Sequence, residues 1–220
     1  VREASICSTC GSVTLPAGFV VAGSGVLQNP AEVLTPDQQA RLAIASKSDS
    51  TIQIITGAEL SSGAARPAAQ ETLTWRFRAR NVRDVGWAAT PQYLWDAVGW
   101  QGALAQAFYR PSALETWKEA AMMSRYSLAE YSTRWLRYPY PQLSAVEGPV
   151  SGMEYPMVAM EARGDSAAEL YRVLTHEIGH IGVLANILGR GIAFASRARD
   201  VLPLRFTRHA VALARLLAEP

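Results

Sequence analysis

Residues 175–180 read T-H-E-I-G-H, which contains the pattern H-E-x-x-H. On an α-helix, residues four positions apart lie above one another on one face, so His176 and His180 can present both imidazoles to one metal ion. Glu177 follows His176 directly and can reach a water molecule on that metal. Zinc lowers the pKa of its bound water to about 7, and a carboxylate can then accept the proton. The pattern therefore predicts zinc-dependent hydrolysis of amides.

The surrounding residues favour a helix near 166–187. Ser166 and Glu169 form an S-x-x-E capping box at its start. Apolar residues follow at helical spacing, namely Ala168, Leu170, Val173, Leu174 and Ile178. Gly179 costs about 1 kcal/mol of helix stability relative to Ala, which indicates a packing or functional reason for it. This context favours a metal site over a chance pattern on an ordinary buried helix.

A second segment lies upstream, where Gly152, Met153 and Glu154 are followed by Tyr155 and Pro156. Together with H-E-x-x-H it resembles the gluzincin aminopeptidases, the family of aminopeptidase N and leukotriene A hydrolase. In that family a G-x-M-E-N segment shortly precedes H-E-x-x-H, and many bacterial members carry G-M-E-Y-P. The resemblance implies one zinc ion as cofactor and a peptide with a free N-terminus as substrate. It implies that Glu154 binds the substrate's α-amino group, and that the backbone at Gly152 and Met153 hydrogen-bonds the peptide as an added strand.

The resemblance covers roughly residues 13–180 and implies an α+β fold. Residues 1–103 would form the C-terminal part of an N-terminal β-sandwich. Residues 104–220 would form an incomplete thermolysin-like metallopeptidase domain, with an atypical tail over 181–220. The 220-residue length is short for both domains, so we interpret the chain as a fragment.

Local patterns predict the main elements within this plan. Thr72–Val82 alternates between apolar and arginine side chains, which is typical of a half-buried strand. Thr35 and Pro36 predict a helix start, and residues 61–69 predict a loop. In total we expect strands near 13–30, 51–57, 71–90 and 141–162, and helices near 112–136 and 166–187.

The chain after His180 departs from the family pattern. The family's third zinc ligand, a glutamate, would fall at Arg199. Asp200 is only a weak candidate, because a shift of one residue rotates a helical side chain by about 100°. His209 lies in an arginine-rich stretch typical of a solvated helix, and no tyrosine follows Tyr171 for the family's transition-state role. Catalytic zinc sites use three protein ligands plus water, so we expect weak zinc binding and little activity from this chain.

Two explanations of the tail stay open. One is a divergent tail with a basic amphipathic helix near 206–217. The other is a slip of the reading frame just after His180, because a shifted frame in GC-rich DNA yields Ala, Arg, Gly, Leu and Pro. Residues 2–11 raise the same question, and sequencing of the encoding DNA distinguishes the two explanations.

Three functional classes are compatible with these residues. The first is a zinc aminopeptidase that removes N-terminal amino acids from peptides. The second is a non-catalytic peptide-binding relative that lost its third zinc ligand. The third is a thermolysin-type endopeptidase, which Glu154 disfavours because an amine anchor near the metal restricts cleavage to the first residue.

Composition is ordinary for a soluble globular chain, with 49% hydrophobic and 18% charged residues. The formal net charge is +2, and arginines after residue 180 supply the basic excess, so nucleic acid is not an expected partner. Cys7 and Cys10 form a single C-x-x-C, which is weak evidence for a metal or redox site. The sequence contains neither a signal-peptide pattern nor an apolar run long enough to span a bilayer. It predicts neither the compartment nor the oligomeric state.

Overall fold

The computed structural model describes residues 7–67, 70–82 and 84–190, with side chains from residue 10 to residue 182. It is an α+β structure, which confirms the predicted fold class. The strands are β1 (Cys7–Pro16), β2 (Val20–Gly23), β3 (Val26–Leu27), β4 (Ile52–Ile55), β5 (Thr72–Val82), β6 (Trp87–Thr90), β7 (Leu94–Trp100), β8 (Ala103–Tyr109), β9 (Gln142–Glu147), β10 (Met153–Tyr155) and β11 (Val158–Glu161). The α-helices are α1 (Pro30–Val33), α2 (Pro36–Ala45), α3 (Gly57–Ser62), α4 (Leu114–Trp117), α5 (Ala120–Arg134) and α6 (Ala167–Arg190), and a 3-10 turn covers Pro111–Ala113.

The largest sheet has the strand order β10-β11-β9-β8-β7-β4. In it, β9 runs parallel to β8 and to β11, and the other neighbours are antiparallel. Two smaller sheets have the orders β1-β5-β3 and β2-β6. Helix α5 packs on β7, β8 and β9, and α6 packs on α5, β10 and β11. This arrangement places α6 beside the end strand β10.

The large sheet is buried on both faces. On one face, a core shared with the helices contains Leu94, Trp117, Leu143, Leu174 and Ile178. On the other face, a second core shared with the smaller sheets contains Val21, Ile54, Trp75, Trp95 and Phe108. Central strands covered on both faces lose the alternation of apolar and polar residues.

This double burial explains the main error of the sequence prediction, which contained neither β7 nor β8. Both strands are almost continuously buried, so they lack the alternation that identified β5. The prediction of a loop from residue 61 was also wrong for residues 61 and 62, which end α3. A capping box that the sequence analysis missed begins this helix, because Thr56 accepts a hydrogen bond from the Glu59 amide and Glu59 accepts one from the Thr56 amide.

Two predicted helix starts are confirmed. Thr35 caps α2 through a capping box with Gln38, and Pro36 occupies the first turn. Helix α6 begins directly after Ser166, whose hydroxyl oxygen accepts a hydrogen bond from the backbone N–H of Glu169 at 3.1 Å. Side-chain caps of this kind satisfy backbone N–H groups that have no partner within the helix.

The predicted division after residue 103 falls at the start of β8, which is hydrogen-bonded to β7 along its length. The large sheet therefore contains strands from both sides of the boundary, and the two-domain division stays a proposal. Residues 191–220 lie outside the described residues. The structure therefore does not test the predictions made for Arg199, Asp200, His209 and a helix near 206–217. Among the helices that the structure describes, none has the length and apolarity needed to cross a membrane.

Asp96 on β7 is a buried acidic residue, of which only 2% is exposed. It lies on the face of the large sheet that packs against the helices. The hydroxyl of Tyr109 donates a hydrogen bond to Asp96 Oδ2 at 2.6 Å, and Oδ1 has no partner among the described residues. Burial raises the pKa of Asp96 to about 6, the charge of Glu119 adds to this effect, and the Tyr109 hydrogen bond opposes it. Folding therefore favours the protonated acid.

We expect Asp96→Asn to remove one component of the pH dependence of stability. The folded-state pKa lies above the unfolded value of about 3.9, so the stabilising effect is complete below about pH 4 and is lost as the pH rises through about 6. Asparagine keeps an acceptor for Tyr109 and does not titrate. Between pH 4 and pH 7, the free energy of unfolding of the variant should rise relative to wild type by about 2 kcal/mol.

Urea denaturation of both proteins across this pH range measures the difference. The exposed Asp165→Asn variant serves as the control and should follow wild type at each pH. Parallel profiles for wild type and Asp96→Asn would contradict the prediction.

Candidate functional site

The H-E-x-x-H pattern lies on α6, and its two histidines converge. Their Nε2 atoms are 3.0 Å apart, and the rings meet edge to face at 84°. Two nitrogens bound to one tetrahedral zinc ion lie about 3.3 Å apart, given zinc–nitrogen distances near 2.0–2.1 Å. The spacing of His176 and His180 thus suits two ligands of one ion. In the metal-free protein the same approach allows a hydrogen bond between the two rings.

Helix α5 holds the turn of α6 that precedes His176. The Tyr131 hydroxyl donates a hydrogen bond to the backbone carbonyl of Thr175 at 2.8 Å. The hydroxyls of Ser127 and Thr175 are hydrogen-bonded to each other at 3.0 Å, in buried surroundings. The predicted helix near 112–136 indicated core packing but not these polar contacts, since periodicity identifies a buried face and not its hydrogen-bond partners.

Glu154 lies in β10 and reaches the helix across the edge of the sheet. Its carboxyl group lies near that of Glu177, and its charge raises the pKa values of both Glu177 and His176. The structure therefore brings Glu154, His176 and Glu177 together, although 21 residues lie between Glu154 and His176 in the sequence.

The environment of Glu177 favours the protonated carboxyl. Burial is the largest cause, followed by the negative charges of Glu154 and Glu161, and together they raise the pKa of Glu177 to about 7. Its side chain is 6% exposed, whereas that of His176 is 40% exposed. The pKa of His176 is lowered by burial and by the nearby His180, with Glu154 acting in the opposite direction. A carboxyl group with a pKa near neutrality can both accept and return a proton at physiological pH.

Gly152 and Met153 lead into the edge of the sheet. Gly152 has a left-handed φ of +70°, and a Cβ atom at this position would lie 3.8 Å from Glu177 Oε1. Met153 is 38% exposed. On one side β10 pairs with β11, with Glu154 opposite Ala159, and on the other side no strand of the described residues pairs with it. Such an edge can accept an extended peptide as an added strand.

Residues that adjoin the smaller sheets contact the end of β10. The sequence analysis did not predict these contacts. The Ser24 hydroxyl donates a hydrogen bond to the Pro156 carbonyl at 2.6 Å and accepts one from the Gly86 amide at 3.0 Å. A Cβ atom on Gly86 would lie 2.7 Å from the ring of Tyr155, so a larger residue requires this ring to move. No local pattern links three residues so far apart in the sequence.

The described residues fit a zinc ion in part. His176 and His180 offer two converging nitrogens, but within the described ranges no group of three or more His, Cys, Asp or Glu residues is arranged to hold a metal ion. The weak candidate Asp200 lies outside these ranges. The described part of the chain thus contributes two ligands, fewer than a catalytic zinc site uses.

Comparison with solved structures finds distant likenesses. An M1 zinc metallopeptidase from Deinococcus radiodurans matches with a TM-score of 0.48 and 16% identity over 82% of this chain and 34% of its own. A glutamate-to-alanine mutant of a two-domain M1 zinc metallopeptidase, bound to L-arginine, matches with a TM-score of 0.44 and 14% identity over 80% of this chain and 35% of its own. The chain thus spans about a third of the length of these structures. No protein-family model and no curated protein matches the chain. Likenesses at this level do not decide its function.

Proposed function

We propose that the chain carries the zinc-binding and amine-binding part of an aminopeptidase site, which removes N-terminal amino acids from peptides. The observation that carries the proposal is the meeting of Glu154 with the H-E-x-x-H face of α6. The carboxyl group of Glu154 lies near that of Glu177 and raises the pKa values of Glu177 and His176, and the rings of His176 and His180 converge. The resemblance of both segments to the gluzincin aminopeptidases supports the same function.

In this proposal, His176 and His180 would hold one zinc ion, and any third ligand would lie outside the described residues. Zinc supplies a Lewis acid that polarises a carbonyl and lowers the pKa of water to about 7. Glu177 accepts the proton of the attacking water and then delivers it to the leaving amine. Its Oε1 atom lies 4.0 Å from His176 Nε2, which places the carboxyl group beside the proposed metal ligands for both transfers.

Glu154 binds the positively charged α-amino group of the substrate. Because its carboxyl reaches Glu177, an ammonium group held there places the first peptide bond near the base. The edge of β10 that no described strand occupies pairs with the substrate backbone. A carboxylate at this position limits extension beyond the N-terminus, which favours an aminopeptidase over a thermolysin-type endopeptidase.

A second candidate is a peptide-binding relative without catalysis. It is favoured by the number of zinc ligands, because the described residues offer two ligands and a catalytic site uses three. The two functions differ in their dependence on metal. Peptide binding by a non-catalytic relative should persist after His176→Ala, whereas the aminopeptidase proposal expects zinc-dependent turnover.

Replacing Glu154 tests the proposal most directly. We expect Glu154→Ala to weaken the binding of a dipeptide amide with a free N-terminus by about 10- to 100-fold, the value of one or two charge-assisted hydrogen bonds. Binding of the N-acetylated peptide, which lacks the ammonium group, should change little. Isothermal titration of the zinc-supplemented chain with both peptides measures the effect.

The exposed Glu169→Ala variant provides a control, because it removes an acid from α6, the helix that carries H-E-x-x-H, at a position outside the site. Equal affinity of wild type for free and N-acetylated peptides would refute the amine-anchor role. The same holds for Glu154→Ala with an unchanged preference for the free N-terminus.

A further inference from the structure

Hydrogen bonds join the loop between β9 and β10 to the end of β11. The Gly148 amide donates to the Glu161 carbonyl at 2.8 Å, and the Ala162 amide donates to Ser151 Oγ at 2.9 Å. The Gly152 amide donates to Glu161 Oε2 at 3.1 Å. Glu161 takes part in two of these bonds, one through its backbone and one through its side chain. The loop leads directly into β10, so these contacts fix where the strand begins.

The carboxyl group of Glu161 is buried and only partly hydrogen-bonded. The residue is 2% exposed, and Oε1 is buried without a hydrogen-bond partner among the described residues. Burial is the main cause that raises the pKa of Glu161, while the hydrogen bonds from Gly152 and Ser151 oppose it. Burying an incompletely paired carboxyl group disfavours folding, which suggests that its contact with the loop has a use.

Gly152 lies between Glu161 and Glu177. Its amide is bonded to Glu161 Oε2, and a Cβ on its other side would lie 3.8 Å from Glu177 Oε1. Its left-handed φ of +70° is a backbone conformation that residues other than glycine rarely adopt. The hydrogen bond to Glu161 is thus made at a residue two positions before Glu154.

We infer that Glu161 is a positioning residue, which fixes the start of β10 through the Gly152 amide so that Glu154 meets the amine of the substrate. This inference rests on the function proposed above. The role requires a hydrogen-bond acceptor at the length of a glutamate side chain and does not require its charge. Glu161→Gln should therefore preserve it, whereas Glu161→Leu removes the acceptor and Glu161→Asp shortens its reach.

Matched binding and exchange measurements on the full 220-residue chain test this inference. The probes are a free dipeptide amide and its N-acetylated form, titrated into zinc-supplemented wild type and the three variants. Amide hydrogen exchange of Gly152, followed by NMR without peptide, reports the hydrogen bond itself. Glu147→Gln is the control, because Glu147 is equally buried opposite Glu161 on β9 but binds Arg110.

We expect Glu161→Leu and Glu161→Asp to reduce the preference for the free N-terminus by about tenfold, because a displaced Glu154 loses one charge-assisted contact with the ammonium group of the peptide. Exchange of the Gly152 amide should quicken by a similar factor. Glu161→Gln should stay within about twofold of wild type in both measurements. Glu147→Gln should lower the melting temperature without changing the peptide preference.

The two readouts separate failure of this inference from failure of the proposed function. Unchanged Gly152 exchange in a folded Glu161→Leu or Glu161→Asp variant would overturn the inference. Loss of peptide preference in Glu161→Gln, equal to that in Glu161→Leu, would also overturn it, because it would assign the effect to charge. If wild type shows no preference for the free N-terminus, the proposed function fails, and the role of Glu161 toward substrate fails with it. This holds even if the exchange measurement confirms the hydrogen bond between Glu161 and the Gly152 amide.

Discussion

Glu177→Gln is expected to reduce hydrolysis of peptides with a free N-terminus by about 10²- to 10⁴-fold in kcat, the usual contribution of a positioned general base. Glutamine has nearly the same shape but cannot accept the proton of water. It also removes a buried acid whose pKa is about 7. The loss should therefore appear in kcat without damage to the fold.

Progress curves with a fluorogenic aminoacyl amide, recorded over hours in the presence of zinc, suit a chain that is expected to turn over slowly. Metal analysis after dialysis should find equal zinc in wild type and Glu177→Gln. A variant that retains the wild-type kcat would exclude Glu177 as the base, and wild type without any turnover would favour the non-catalytic peptide-binding relative.

His176→Ala is expected to weaken zinc binding by about 100-fold or more, because removing one nitrogen from a converging pair leaves a single imidazole. His180→Ala should have the same effect for the same reason. Competition with a chromophoric chelator at pH 7.5 measures the affinities. Melting temperatures of the zinc-free proteins establish whether each variant is folded.

Two variants in the tail provide informative controls. His209→Ala should leave zinc affinity unchanged, in keeping with the prediction of a solvated residue, and Asp200→Ala should have at most a small effect. A large loss in either variant would identify a third ligand. Stoichiometric zinc in the wild-type chain after dialysis, together with an ordinary enzymatic rate, would contradict the expectation of weak binding and point to a further ligand.

Local sequence patterns predicted the parts of the molecule whose causes are local. Helix α6 and its Ser166 cap follow from spacing and from a side chain that bonds its own helix end. The same holds for α2 with its Thr35 capping box and for the half-buried strand β5. The convergence of His176 and His180 needs only a helix and a separation of four residues.

Patterns failed where burial is determined by distant parts of the chain. Strands β7 and β8 are covered on both faces, so their composition does not differ clearly from that of a buried helix. Asp96 appears as an ordinary acid in the sequence, and only the fold surrounds it with Tyr109 and apolar side chains.

The sequence by itself determined which chemical groups are present and that the two histidines share one helix face. Only the tertiary structure decided that Glu154 comes near Glu177, and that Glu161 binds the Gly152 amide. The first contact depends on α6 packing against β10, and the second on the pairing of β10 with β11. Hydrogen bonds and pKa shifts act over a few ångströms, so they depend on which elements pack together and not on separation along the chain.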